Sequence, residues 1–413
     1  MKKYNLFILV SFFFSILNAS AQDCEDQNRY VEPMSNSIQK STVVYATAIG
    51  YVGETVTLSM DVFVPEGDNT TNRPLIVFAH GGSFIFGSKQ DMRELCELYA
   101  SLGYVTATID YRKYNLLLGL PDSTKFVDVA FNAISDMRAA VRYFKADAER
   151  ENTFNIDADK IFVGGLSAGA IMALHVAILD EEDPQSDEFA AYIASKGGIE
   201  GTTGDSINLS YNSEVAGVIG LSGAIFNPDW IDENDPQLLL MHGDIDDVVP
   251  HGSDYEGALG LIYLHGSATI HERALEVGTS SYFVSVPNGG HTNIYSGAAF
   301  ASYVTTFQAN GNSLLRAIIC EPGSLSTNSL KISNAELQFL PNPANQYTIL
   351  QSGLDGHGMV MVYDGFGKRI SAIQAGNLEQ VEINTQAYNP GWYIIQVWKD
   401  NSLAAVNRLL IQR

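Results

Sequence analysis

Ser167 stands in Gly165-Leu166-Ser167-Ala168-Gly169, a spacing that suits a nucleophile. A serine hydroxyl attacks a carbonyl only when a base takes its proton, and that base needs a carboxylate to hold its tautomer. The flanking glycines permit a tight strand-to-helix turn that exposes the hydroxyl at a helix N-terminus. His291, in Pro287-Asn288-Gly289-Gly290-His291, is the candidate base, because a polar, glycine-flanked loop gives a histidine little core to fill. The candidate acid lies between them in chain order, within His242-Gly243-Asp244-Ile245-Asp246-Asp247. Asp246 leads there, Asp247 and Asp244 are the alternatives, and His242 itself reads as a packed strand-end residue. A tetrahedral intermediate also needs N–H donors where negative charge develops. Ala168 offers one from the first turn after the serine. Gly82 and Ser83, in His80-Gly81-Gly82-Ser83-Phe84, are the candidates for the rest of an oxyanion hole.

Other chemistries lack their residues. His251, His265 and His271 are spaced too widely for a tight zinc cluster and read as surface histidines, so no metal is expected. No phosphate loop and no G-x-G-x-x-G follows the first strand, so no cofactor is expected either. Met172 and His175, on the helix after Ser167, read as core.

The elements that must carry these residues follow from hydrophobic patterning. Thr42 to Ala48 and Thr55 to Pro65 alternate as a hairpin, with Thr57, Ser59 and Asp61 on the polar face. Pro74 to His80 is a continuous apolar run, the mark of a strand buried on both faces, Ile161 to Val163 is a shorter buried run, and Tyr104 to Ile109 reads as another core strand. Val215 to Leu221, Gln237 to Met241 and Ser281 to Val286 supply further strands. Helices are predicted over Met92 to Leu102, Thr124 to Lys145, Ala168 to Leu179, Asp254 to Val277 and Ala298 to Ile319. Alternating strands and helices specify an α/β fold: a mostly parallel sheet covered on both faces. Residues 180–214 interrupt the rhythm with a polar, acidic, glycine-rich stretch, and a lid-like insertion is expected there.

At the N-terminus, Lys2 and Lys3 precede an apolar run and Ala19-Ser20-Ala21, which reads as a signal peptide over residues 1–21. Losing those two lysines takes the formal charge from −23 to −25, which argues against nucleic acid as a partner. No later stretch is apolar enough to span a bilayer. Residues 22–40 read as a leader and 321–332 as a linker. Beyond it, residues 333–413 form short alternating strands, a small all-β sandwich without catalytic spacing.

Residues 40–320 resemble an α/β-hydrolase of the esterase/lipase group. His80 to Phe84 is similar to that family's HGG-x-F oxyanion motif, Asp110-Tyr111-Arg112 to its strand-end motif, and Gly165 to Gly169 to its nucleophile turn. Asp136-x-Arg138-x-Ala140-Val141-Arg142 resembles the pattern of its second helix. His242-Gly243-x-x-Asp246-x-x-Val249-Pro250 resembles its acid-bearing stretch, which favours Asp246, and Gly290-His291 its base. Ser83 replaces a third glycine. The resemblance implies an eight-stranded sheet and cofactor-free hydrolysis of carboxylic esters. It also implies that the helices bearing Cys96 and Cys320 share one face. A Cys96–Cys320 disulfide is therefore expected, with a Cys24 bridge or three free thiols as alternatives. Phe339 to Ala344, Gly391-Trp392-Tyr393 and the closing Asn407 to Ile411 resemble the C-terminal sorting domain of the type IX secretion system of Bacteroidota. That implies secretion or surface attachment, with the secretion machinery as a partner. Acetyl or feruloyl esters on polysaccharide are the expected substrates. A polyester depolymerase or lipase, a serine peptidase and a non-catalytic binding protein are the alternatives.

Overall fold

The computed structural model describes residues 24–412, except 25, 27, 36, 258–259, 321–336, 365–368 and 400–401. The expected signal peptide and linker lie outside the described residues. In chain order the first half holds β1 (Ile38–Ile49), β2 (Thr55–Pro65), β3 (Arg73–Ala79), α1 (Arg93–Ser101), β4 (Val105–Ile109) and α2 (Ser123–Arg150). It continues with β5 (Ile156–Leu166), α3 (Ala168–Ile178), α4 (Asp187–Ser195), β6 (Gly217–Leu221), β7 (Ala224–Ile225) and β8 (Gln237–Gly243). Then come β9 (Ser253–Tyr255), β10 (Tyr263–Gly266), α5 (Ser267–Val277), β11 (Ser281–Val286), α6 (Asn293–Ser296) and α7 (Ala301–Cys320).

Eight strands form the main sheet in the order β1-β2-β4-β3-β5-β6-β8-β11. The hairpin β1–β2 and its junction to β4 are antiparallel, and every later pairing is parallel. Every residue of β3 and β4 is buried, as strands covered on both faces require. Two cores result. One packs α2, α3 and α5 on the first face; the other packs α1 and α7 on the second. Parallel strands bring all their carboxyl ends to one edge, where the loops after β3, β5, β6, β8 and β11 meet.

Four local expectations change. Asp61 is buried rather than on a solvated face, because Lys40 and Lys89 close over its carboxylate. The stretch predicted as helix from Asp254 begins as two short strands, β9 and β10, and β10 pairs with β7. Here partners far along the chain override the local helical pattern. Residues 28–31 are not a loose leader: Tyr30 is buried, its N–H donates to Leu102 O, and Arg29 pairs with Asp68. The disulfide joins Cys24 to Cys320, with Cα atoms 5.5 Å apart, and Cys96 is free and buried. The helices α1 and α7 do share a face, but Cys96 points into the core between them. Arg316, one turn before Cys320, donates to Cys24 O at 2.9 Å and holds the leader end in line with the helix.

Residues 180–214 hold α4 and are anchored on α2. Arg142 donates to Glu200 and to Thr203 O, Arg138 to Ser213 Oγ and Leu179 O, and Thr203 Oγ1 to Asp136. Phe189 and Tyr192 of α4 pack on Phe131 of α2.

The C-terminal part is all β. Strands β12 (Gln338–Leu340), β13 (Tyr347–Gln351), β14 (Gly358–Asp364), β15 (Arg369–Ala375), β16 (Gln380–Asn384), β17 (Gly391–Lys399) and β18 (Ser402–Ile411) form two antiparallel sheets. Leu350, Val360, Val362, Ile383, Ile395 and Leu409 fill the space between them.

Candidate active site

The turn from β5 into α3 is set by sterics. Ser167 sits at φ 56°, ψ −121°, a conformation that L residues rarely adopt and that pushes its hydroxyl out of the turn. Neighbouring glycines make room for it. A Cβ on Gly165 would collide with the Gly169 backbone, and one on Gly169 with the Ala79 and His80 carbonyls. Strand β3 thereby runs close beside the head of α3, which brings the loop after Ala79 next to Ser167.

That loop is the expected oxyanion segment. Gly82, Ser83 and Phe84 all have positive φ, at 112°, 53° and 60°. Among the described residues no acceptor faces the N–H of Gly82, Ser83 or Ala168. The loop is braced from below. His80 Nδ1 lies 2.6 Å from Gly81 O, its ring stacks on Tyr111 at 4.3 Å, and the Tyr111 hydroxyl donates to His80 O. Burial lowers the affinity of His80 for a proton, so it braces as a neutral ring.

The other side of the site is built by hydrogen bonds. His291 Nε2 is 2.8 Å from Ser167 Oγ, and His291 Nδ1 donates to Asp246 Oδ2 at 2.7 Å. Asp246 is the aspartate in contact, and Asp244 instead accepts from the Asn288 N–H. Asp246 Oδ1 accepts from the N–H groups of Val248 and Val249 at 2.9 and 3.0 Å. Burial pushes its carboxyl up, yet the bonds from His242 and His291 outweigh that and hold it well below the usual carboxylate range. It therefore stays ionised and fixes His291 with Nδ1 protonated and Nε2 free to accept the serine proton.

Several contributors were not foreseen. Ser222, directly after β6, donates to His291 O at 2.9 Å and meets the Tyr295 hydroxyl at 2.8 Å. Its strand-end position was the available signal. The loop Leu116 to Leu120 follows a segment whose Tyr114 N–H donates to Phe84 O in the oxyanion loop. It leaves Leu117 92% exposed and Leu120 74% exposed, and Phe86, three residues after Ser83, is 63% exposed. Met172 and His175 are core, as expected. His251, His265 and His271 are half-buried, each against a serine hydroxyl: Ser285, Ser253 and Ser281. Among the described residues no cluster of His, Cys, Asp and Glu is arranged to hold a metal, and no helix is long and apolar enough to cross a membrane.

Residues 60–226 match the BD-FAE family model, a span that includes Ser167 and the oxyanion loop but ends before Asp246 and His291. Residues 338–412 match the model of the secretion system C-terminal sorting domain. Among curated proteins none matches this chain. Similar solved structures include a thermophilic esterase from the planctomycete Thermogutta terrifontis with propionate bound, at 17% identity. The alignment covers 69% of this chain and 96% of that one, with a TM-score of 0.49. Esterase 2 of the same organism phosphorylated by paraoxon is similar at 18% identity, covering 69% and 96%, with the same TM-score of 0.49.

Proposed function

We propose that this chain, which joins a BD-FAE-like α/β-hydrolase domain to a C-terminal sorting domain of the type IX secretion system, is a secreted serine carboxylesterase. The observation that carries the reading is the unbroken relay from Ser167 Oγ through His291 to Asp246, at 2.8 and 2.7 Å, beside three N–H groups that meet no acceptor among the described residues. Ser167 Oγ attacks the ester carbonyl while His291 Nε2 takes its proton. The N–H groups of Gly82, Ser83 and Ala168 receive the charge on the tetrahedral oxygen. Collapse breaks the ester bond, and His291 returns the proton to the departing alcohol. Water then attacks the acyl-enzyme, again giving its proton to His291, and the acid leaves as Ser167 is restored.

In this reading residues 1–21 export the chain and 22–40 lead into a catalytic domain, 41–320, with 180–214 as its lid-like insertion. Residues 321–332 link it to the sorting domain, 333–413. Export supports an extracellular substrate, and short-acyl or aryl esters on polysaccharide, acetyl or feruloyl, are the first choice. A second reading, a neutral apolar ester such as a polyester or lipid, is favoured by the exposed Leu116–Leu120 loop beside the oxyanion segment.

Ser167→Ala should lower turnover of a soluble p-nitrophenyl ester by at least ~1000-fold with an unchanged melting temperature. Turnover like that of the unmodified protein would overturn the assignment. Relative kcat/KM across acyl chains of two to sixteen carbons and a feruloyl ester separates the two substrate readings.

A further inference from the structure

We propose that His242 is a positioning residue, holding through Nε2 the same Asp246 oxygen that holds His291. This rests on the esterase reading of Ser167, His291 and Asp246.

His242 closes β8, four residues before Asp246, and its side chain is fully buried. Its Nε2 lies 3.0 Å from Asp246 Oδ2 and 3.1 Å from Val249 O. Both are acceptors, so Nε2 carries a hydrogen. Its Nδ1 lies 2.9 Å from Ser267 Oγ, at the first turn of α5. The serine proton has Gly223 O as its alternative acceptor at 3.5 Å, too long to compete, so it goes to Nδ1. A neutral ring with Nε2–H thus satisfies every bond the pocket offers.

The effect on Asp246 is specific. Oδ1 receives two backbone N–H groups and Oδ2 receives two imidazole N–H groups, which fills the carboxylate's acceptor sites. A carboxylate held at four points cannot swing away when His291 becomes charged. The second donor on Oδ2 also draws on the electron density that would otherwise go to His291. His242 therefore both aims the acid and moderates how firmly the charged His291 keeps its proton. The titratable groups facing His242 are Asp246 and, at 5.6 Å between ring centres, His251. Burial lowers His251 to about 4, so it is uncharged across the working range. The helix α5 presents the neutral Ser267.

The test compares His242→Leu and His242→Gln in the full chain, with Ser167→Ala as the control. A hydrogen bond to a charged group is large enough that the Leu variant should lose roughly 10- to 100-fold in kcat on a soluble p-nitrophenyl ester. KM should stay put, and the acidic limb of kcat/KM should move to higher pH. Gln can return an amide N–H to the carboxylate and should recover most of the loss. A folded Leu variant with unchanged kcat and an unmoved acidic limb overturns the proposal while leaving the esterase reading intact. Retained turnover in Ser167→Ala instead removes the reading underneath it. If the Leu variant does not fold, nitrogen NMR of the unmodified protein decides: His242 should show the Nε2–H tautomer, and an Nδ1–H ring contradicts the proposal.

Discussion

Two aspartates flank strand β8 and behave as opposites. Asp246, three residues after the strand, is ringed by donors: two imidazoles and two backbone N–H groups. Asp235, two residues before it, receives the Asp232 N–H and is surrounded by Asp232, Asp183 and Asp180. Burial, aided by those like charges, pushes Asp235 up to about 9, whereas the donors hold Asp246 well below the usual range. Residue type and strand are the same. What differs is whether the fold gathers donors or other carboxylates, and only the donor-rich end is fit to steady a histidine at neutral pH.

The largest way to break this contrast is to remove the charge at the donor-rich end. Asp246→Asn should lower kcat by at least ~100-fold, because the amide no longer fixes His291 in the working tautomer. Asp247→Asn, one residue along, should leave kcat within about twofold. Steady-state kinetics on the same soluble ester reads both. A damaging Asp247→Asn paired with a harmless Asp246→Asn would reverse the assignment of the acid.

At the other end the expected change is in stability. The folded state keeps a proton on Asp235 up to about pH 9, while the unfolded chain releases it near pH 4. The folded state binds more protons between those values, so its stability declines as pH rises through that window. Asp235→Asn keeps the acceptor for the Asp232 N–H but has no charge to bury. It should raise the melting temperature by ~2–5 °C at pH 8, after allowing for solvent screening, and by much less at pH 4.

Asp183 gives the finest test. Burial, with Asp180 and Asp232 adding to it, pushes Asp183 up to about 7, so its window runs from about pH 4 to 7 and closes sooner. The gain from Asp183→Asn should be smaller, ~1–3 °C, and should stop growing above pH 7. Thermal melts across pH 4 to 9 distinguish the two profiles. Equal gains at every pH would mean that the amide acts through packing and not through charge.

Much of the molecule was legible because its causes are local. Unbroken apolar runs placed β3 and the heart of β5 in the middle of a sheet, since only double-sided burial tolerates such sequences. The glycines at positions 165 and 169 marked the turn at Ser167, because any side chain there meets backbone. The spacing around His80 and His291 marked strand-end loops, and parallel strands bring such loops to one edge. Distant pairings were another matter. That Cys320 meets Cys24 and not Cys96 depends on where the leader is pinned by Arg29, Tyr30 and Arg316. That β10 seeks β7 depends on an edge far earlier in the chain, through the pairs Ile225↔His265 and Ala224↔Gly266. The reach of His291 to Asp246 and the approach of Asp180 and Asp183 to Asp235 are likewise meetings of separate loops. Sequence alone determined which segments become strands and which turns need glycine, because those are decided within a few residues by sterics and burial. Tertiary structure decided which polar groups face one another, because a hydrogen bond or a shared charge acts over a few ångströms whatever the distance along the chain.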